Sequence, residues 1–158
     1  MKLLDLLARA CALLGGALLT IITFMVCASL IGRNTSGWTL VGDFELTASA
    51  AGAAIALFMP LAQVRGNHII VDFFTMKASA GAKAAMDRFG ALLLASVMAL
   101  LAWRSAIGGL SAWDSGSGSM MLGFPEWIVY TLMVPPLALT ACIGLWQALQ
   151  GFGPEATT

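Results

Sequence analysis

The sequence predicts an all-α integral membrane protein with four spanning helices, and three observations carry that expectation. Of 158 residues, 59% are hydrophobic before the 17 glycines are added, where a soluble domain reaches only about 45–50% with glycine included. Charged residues make up 10%, against about 25% in soluble domains, and the mean hydropathy is +0.90. The eight basic and eight acidic residues also fall in clusters, leaving four apolar runs near the ~20 residues that cross a ~30 Å hydrocarbon core. A chain so poor in polar residues cannot clothe itself for water, which excludes an ordinary soluble enzyme. A net charge of zero excludes a nucleic-acid binder, which needs a basic surplus. The whole chain, 1–158, is expected to form one membrane domain.

The first span is placed at about 10–32, the uncharged run between Arg9 and Arg33. Before it, Lys2, Asp5 and Arg9 recur at helical spacing opposite Leu3, Leu4, Leu6 and Leu7, the pattern of an amphipathic turn or two lying along the membrane surface. The apolar run exceeds the ~7–15 residues of a signal-peptide core, so an uncleaved first span is expected. The second span, 44–64, ends at Arg65. Residues 66–88 then place His68, Asp72 and Thr75 on one helical face, with Ile69, Ile70, Phe73 and Phe74 around the rest. An interfacial helix between spans two and three is the expected result. The third span needs 89–112 for sufficient length, which includes Arg104 toward one end, within snorkelling range of the headgroups. Residues 114–119, rich in Gly and Ser, predict a flexible turn. The fourth span, 127–149, starts with Trp127 and Tyr130, amphipathic rings favoured at a membrane interface.

Basic residues fix the expected orientation. With the N-terminus inside, Lys2, Arg9, Arg65, Lys77, Lys83 and Arg88 lie on the cytoplasmic side and only Arg33 and Arg104 on the other. That bias predicts N-in and C-in.

Proteins that transport or do redox chemistry alone keep ionisable groups near the membrane midplane. The spans instead offer hydroxyls and thiols such as Thr20, Thr23, Thr47, Ser96, Thr131 and Thr140, which bond back to their own helix or join neighbouring helices. Cys11, Cys27 and Cys142 read as small apolar residues; the first two would lie about 24 Å apart along one helix, too far to bridge. A single histidine excludes a bis-histidine haem. No cofactor, metal or catalytic residue is expected. Stripes of small residues, Ala12/Gly16/Thr20 and Ala48/Gly52/Ala56, mark close helix contacts, within the chain or against a partner. Pro60, Pro135 and Pro136 predict local kinks.

Three stretches go beyond a generic membrane protein: WTLVGDFE over 38–45, FMPLAQVRGNHIIVDFF over 58–74, and LGFPEWIVY over 122–130 with Pro135 following. At these residues, over essentially its full length, the chain resembles the small membrane subunit of tripartite ATP-independent periplasmic (TRAP) transporters. The most specific part is QVRGNHIIVD over 63–72; the chain departs from the family pattern at Pro135-Pro136, where a glycine is usual. The resemblance implies a bacterial inner-membrane, multi-pass, non-catalytic scaffold. Its implied partners are a large permease subunit, which holds the substrate and sodium sites and moves as an elevator, a periplasmic substrate-binding protein, and membrane lipids. It also implies ion-gradient-driven uptake of organic acids such as C4-dicarboxylates or sialic acids.

The candidate interface residues are charged or aromatic groups at the span ends. His68 and Asp72, one helical turn apart, form either a proton relay or a pair anchoring the interfacial helix beside Arg65. Asp43 and Glu45 either line a docking surface or cap the second span. A helix starting at Trp38 would bury Glu45 and require Arg33 or Arg104 as its partner. Trp127 and Tyr130 complete the set. The competing function is an autonomous homodimeric cation or drug exporter, for which only Glu45 could serve as the membrane carboxylate.

Overall fold

The computed structural model describes residues 2–38, 41–66 and 80–150. These form four helices, α1 (Lys2–Ser36), α2 (Asp43–Arg65), α3 (Ala80–Ser115) and α4 (Glu126–Gln150), with no strand beyond an isolated bridge between Gly118 and Pro125. All four are long and apolar enough to cross a membrane.

Local chemistry explains the boundaries. α1 runs 35 residues, about 52 Å, and stops at Gly37, whose φ of 67° leaves the helical region. The amphipathic opening residues are continuous with this helix: nothing between Lys2 and the apolar run breaks the hydrogen-bond ladder. α2 starts at Asp43 rather than Trp38, because Gly42 has φ 81°. It closes on Gly66 (φ 62°), whose N–H returns to the Ala62 and Gln63 carbonyls. Both α2 and α4 continue through their prolines. Hydroxyls inside the helices do bond back one turn: Thr20 to Gly16, Thr23 to Leu19, Thr47 to Asp43, Ser96 to Leu92, Thr131 to Trp127 and Thr140 to Pro136.

The helices lie side by side in the order α1, α2, α4, α3. α1 packs on α2, α2 on α4 and α4 on α3, with a minor contact between α1 and α4; the backbone of α3 approaches neither α1 nor α2 closely. The inner helices α2 and α4 are therefore covered on two sides and the outer ones on one. Within the most apolar window of each helix, 33% is buried for α4 and 11% for α1.

Small residues seat the helices; of the two expected stripes only Ala56 is buried in the core of the chain. On α1 the buried positions are Ala8, Gly15, Ile22 and Ser29, seven apart. A Cβ on Gly15 would meet Leu57 Cβ at 3.1 Å and the Ala54 carbonyl at 3.3 Å. Gly16 and Gly52, from the expected stripes, have nothing within 4 Å, and Ala48 is exposed. A strict four-residue spacing drifts about 40° per step around a helix, whereas a seven-residue repeat stays on one face. The α3–α4 seam follows the same logic. A Cβ on Gly144 would sit 3.0 Å from Ala95 Cβ, and Tyr130 lies over Gly108 and Gly109. Ala56, Ala102 and Leu137, with Met98 and Met133, pack at the centre.

Candidate interface at the Asp43 end of the helix row

The end of α1, the start of α2 and the α3–α4 connection meet at one end of the row. Asp43 in the first turn of α2 reaches α1. Its Oδ2 accepts from the buried Ser29 hydroxyl at 2.6 Å and lies 3.6 Å from an Arg33 guanidinium nitrogen. Two residues on, about 200° around the helix, Glu45 reaches the opposite way. Both its carboxylate oxygens accept from the Met121 N–H at 3.2 Å. An arginine was required for Glu45 only in a helix starting at Trp38; with α2 starting at Asp43, Glu45 is met by backbone N–H and Arg33 serves Asp43. Asp43 and Glu45 thus tie α2 to α1 on one side and to the α3–α4 connection on the other.

That connection is not the flexible turn its Gly and Ser content predicts. Ser119 N–H donates to the Phe124 carbonyl and Gly123 N–H to the Ser119 carbonyl, each at 2.9 Å. Phe124 N–H donates to the Ser119 hydroxyl at 3.2 Å, and Glu126 N–H closes on the Ser117 carbonyl. Ordered pairing of the backbone groups outweighs the loose composition. Leu122 from this loop packs directly on Gly42: a Cβ there would fall 2.5 Å from Leu122 Cγ. The stretches 38–45 and 122–130 therefore touch in space.

Below the loop, Trp127 meets Trp113 edge-on, with centroids 4.7 Å apart and planes at 74°. Tyr130 covers the paired glycines one turn further in. Between them and Pro135 opens an apolar groove of about 430 Å³ along α3 and α4, with no charged residue in its lining.

The other candidates stand apart from this cluster. Arg65 is exposed in the last turn of α2, at the far end. His68 and Asp72, with residues 67–79 of the expected interfacial helix, lie outside the described residues; the remainder, 80–88, forms the first turns of α3. Arg104 is exposed on α3, 11 residues before that helix ends.

Two polar residues inside apolar runs were not read as a pair, although Gln63 opens the 63–72 motif. Gln63 of α2 and Gln147 of α4 are 1% and 5% exposed. Gln63 Nε2 donates to Gln147 Oε1 at 2.7 Å, and Gln147 Nε2 donates to the Gln63 backbone carbonyl at 2.9 Å. An uncharged amide in each of two spans was the available signal, and a search for charges passes over it.

A family model described as tripartite ATP-independent periplasmic transporters, DctQ component, matches residues 22–153, most of the chain. No curated protein and no solved structure matches it.

Proposed function

This chain belongs to the DctQ component family of tripartite ATP-independent periplasmic transporters, the small membrane component, and on that premise we propose that it is a static scaffold. It pairs with the large permease subunit, to which a periplasmic binding protein delivers an organic acid, a C4-dicarboxylate or sialic-acid-like carboxylate. A sodium gradient drives uptake through the large subunit. The chain sits in the bacterial inner membrane with both termini inside, its spans near 10–32, 44–64, 89–112 and 127–149. The segment carrying Arg65, His68 and Asp72 anchors it to lipid headgroups.

One observation carries the reading. Among the described residues, the buried polar side chains are Ser29, Gln63, Thr140 and Gln147, each hydrogen-bonded within the chain. None is a charge left free to meet a carboxylate or a cation. The helices are laid out in a row with broad apolar faces outward, which supports a partner-covered wall rather than a vessel. The groove by Tyr130, lacking any cation, fits an acyl chain or an apolar side chain better than an organic acid.

Reconstitution tests this directly. Liposomes holding both membrane subunits, supplied with binding protein and a sodium gradient, accumulate labelled dicarboxylate or sialic acid. Liposomes holding this chain alone, or the large subunit alone, do not. Accumulation by this chain alone would overturn the scaffold reading.

A further inference from the structure

Arg104 is a cation for which the described residues of the chain supply no counter-charge. It is exposed, and among the described residues no ion pair or hydrogen bond reaches it: the salt bridges are Arg9–Asp5 and Arg33–Asp43. On α3 the buried positions facing α4 include Ala91, Ala95, Ala102 and Ala112. Arg104 stands two residues past Ala102, about 200° around the helix, and so projects from the back of α3. That is the outer edge of the row, where α3 has no neighbouring helix among the described residues. Its companions on that face are Leu93, Val97, Leu100 and Ile107, all exposed.

The depth of this position is bounded by the charges on either side. Between Arg88 and Asp114, Arg104 is the single charged residue. It lies about 24 Å along the helix from Arg88 and about 15 Å from Asp114. A ~30 Å core placed anywhere between those two charges encloses Arg104, about 6 Å inside its edge at the shallowest and about 15 Å at the deepest. Helical side chains leave the backbone tilted toward the N-terminus. On α3 that direction runs toward Ala80, away from the nearer edge, so the side chain starts out pointing deeper. A guanidinium held there against hydrocarbon is costly unless a counter-charge meets it.

Among the described residues, a second copy of this chain in the same orientation does not supply that charge. Asp43, Glu45, Asp114 and Glu126 cluster at one end of the row and Asp5 and Asp87 at the other, and Asp43 and Glu45 are already engaged. From these observations, and resting on the reading that the chain pairs with a large membrane subunit, we infer that Arg104 forms an intramembrane ion pair with a carboxylate on a transmembrane helix of that subunit. The back of α3 is the face on which the subunit sits. Arg is suited to the role because its planar fork binds a carboxylate through two parallel hydrogen bonds.

The test uses the co-expressed complex. A photo-crosslinking amino acid is placed at Leu100 or Ile107, with Phe24 on the exposed face of α1 as the comparison site, and Arg104→Leu and Arg104→Glu are made in parallel. The expected adducts run from the α3 positions to a large-subunit peptide containing Asp or Glu. Recovery of the large subunit falls about tenfold or more in both variants and returns when Arg104→Glu is combined with a basic residue at the acid identified. Because no hydrogen bond or ion pair among the described residues holds Arg104, circular dichroism of the variants stays that of the parent. Adducts to lipid at Leu100 and Ile107, adducts at Phe24 alone, or undiminished recovery with Arg104→Leu would overturn the ion pair while leaving the subunit pairing intact. Failure of the parent chain to copurify with the large subunit would instead refute the pairing reading itself.

Discussion

Replacing Gln147 by Leu isolates what holds the two inner helices together. The substitution keeps side-chain volume while removing both hydrogen bonds of the α2–α4 clasp, at 2.7 and 2.9 Å. Interhelical polar contacts in membranes average about 0.6 kcal/mol, so two give about 1.2. The Gln63 amide, 1% exposed, also loses its Gln147 acceptor, which adds about 1 kcal/mol at the low end of the usual range. Gln147→Leu should therefore cost about 2 kcal/mol, and Gln63→Leu about 1.6 by the same reckoning. The double variant strands no amide. The Gln63 position keeps its backbone carbonyl bonded to the Gly66 N–H, so about 1 kcal/mol is expected in total. The double variant is then some 2–3 kcal/mol more stable than the sum of the singles predicts. Reversible unfolding in mixed micelles, followed by far-ultraviolet circular dichroism, measures all four forms. Costs that add to within about 0.5 kcal/mol would show that the two amides do not act as a unit.

Gly144→Leu drives a side chain into Ala95 and Ala91 and should destabilise the α3–α4 seam by about 1–3 kcal/mol; Gly16→Ala, facing open space, should be neutral or stabilising by up to about 1 kcal/mol in the same unfolding assay. Gly42→Ala combines a left-handed backbone position, φ 81°, worth about 1–2 kcal/mol, with a collision against Leu122. Adding Leu122→Ala should recover the collision and leave the backbone cost, and a double variant no better than the single would deny the contact. Cys27 and Cys142 are free thiols on exposed helix surfaces. A scaffold packed in lipid keeps them from a water-soluble maleimide in intact membranes, though not after solubilisation in dodecyl sulfate; rapid labelling in membranes would mean that these helices line an aqueous path.

The existence of the four helices was legible because charges are expensive in hydrocarbon and therefore mark where each apolar run stops; their ends were not, since α1 and α3 run on past those charges to Lys2 and Ala80. The order of the helices was not. In a membrane protein, faces turned to lipid and faces turned to a neighbour are equally apolar, so periodic hydrophobicity does not say which side of α3 meets α4. Only the spacing of small residues carries that information. On α1 the register Ala8, Gly15, Ile22 and Ser29 lay one position from the stripe that composition made conspicuous. At the candidate interface, Asp43 and Glu45 were visible as charges, and Trp127 and Tyr130 as interface rings. The partner of Glu45 was hidden for a physical reason: it is the N–H of Met121, a backbone group every residue possesses. Gln63 and Gln147 were hidden because each is harmless to helix formation alone, and their meaning arises only when α2 and α4 lie parallel and bring them together.

The distribution of these polar contacts bears on motion. Helices in lipid have no hydrophobic drive to associate, so each seam depends on close packing and on polar bonds. In this row the α1–α2 seam has Ser29 on Asp43 beside the Gly15 contact, and the α2–α4 seam has the two glutamines. The loop between α3 and α4 is held to α2 by Glu45 and by Leu122 on Gly42. Two of these ties lie at the Asp43 end and the glutamine clasp lies near the other end, so α2 and α4 are pinned at both ends. An element that slides during transport needs a seam that can shift register without stranding buried polar groups. Sliding α2 against α4 by one helical turn, about 5.4 Å, would part both glutamine bonds in an apolar surrounding and pull Leu122 off the one position where Gly42 admits it. The row is therefore suited to move as a whole or not at all, and the sides it leaves uncovered are where a moving partner's fixed frame can rest.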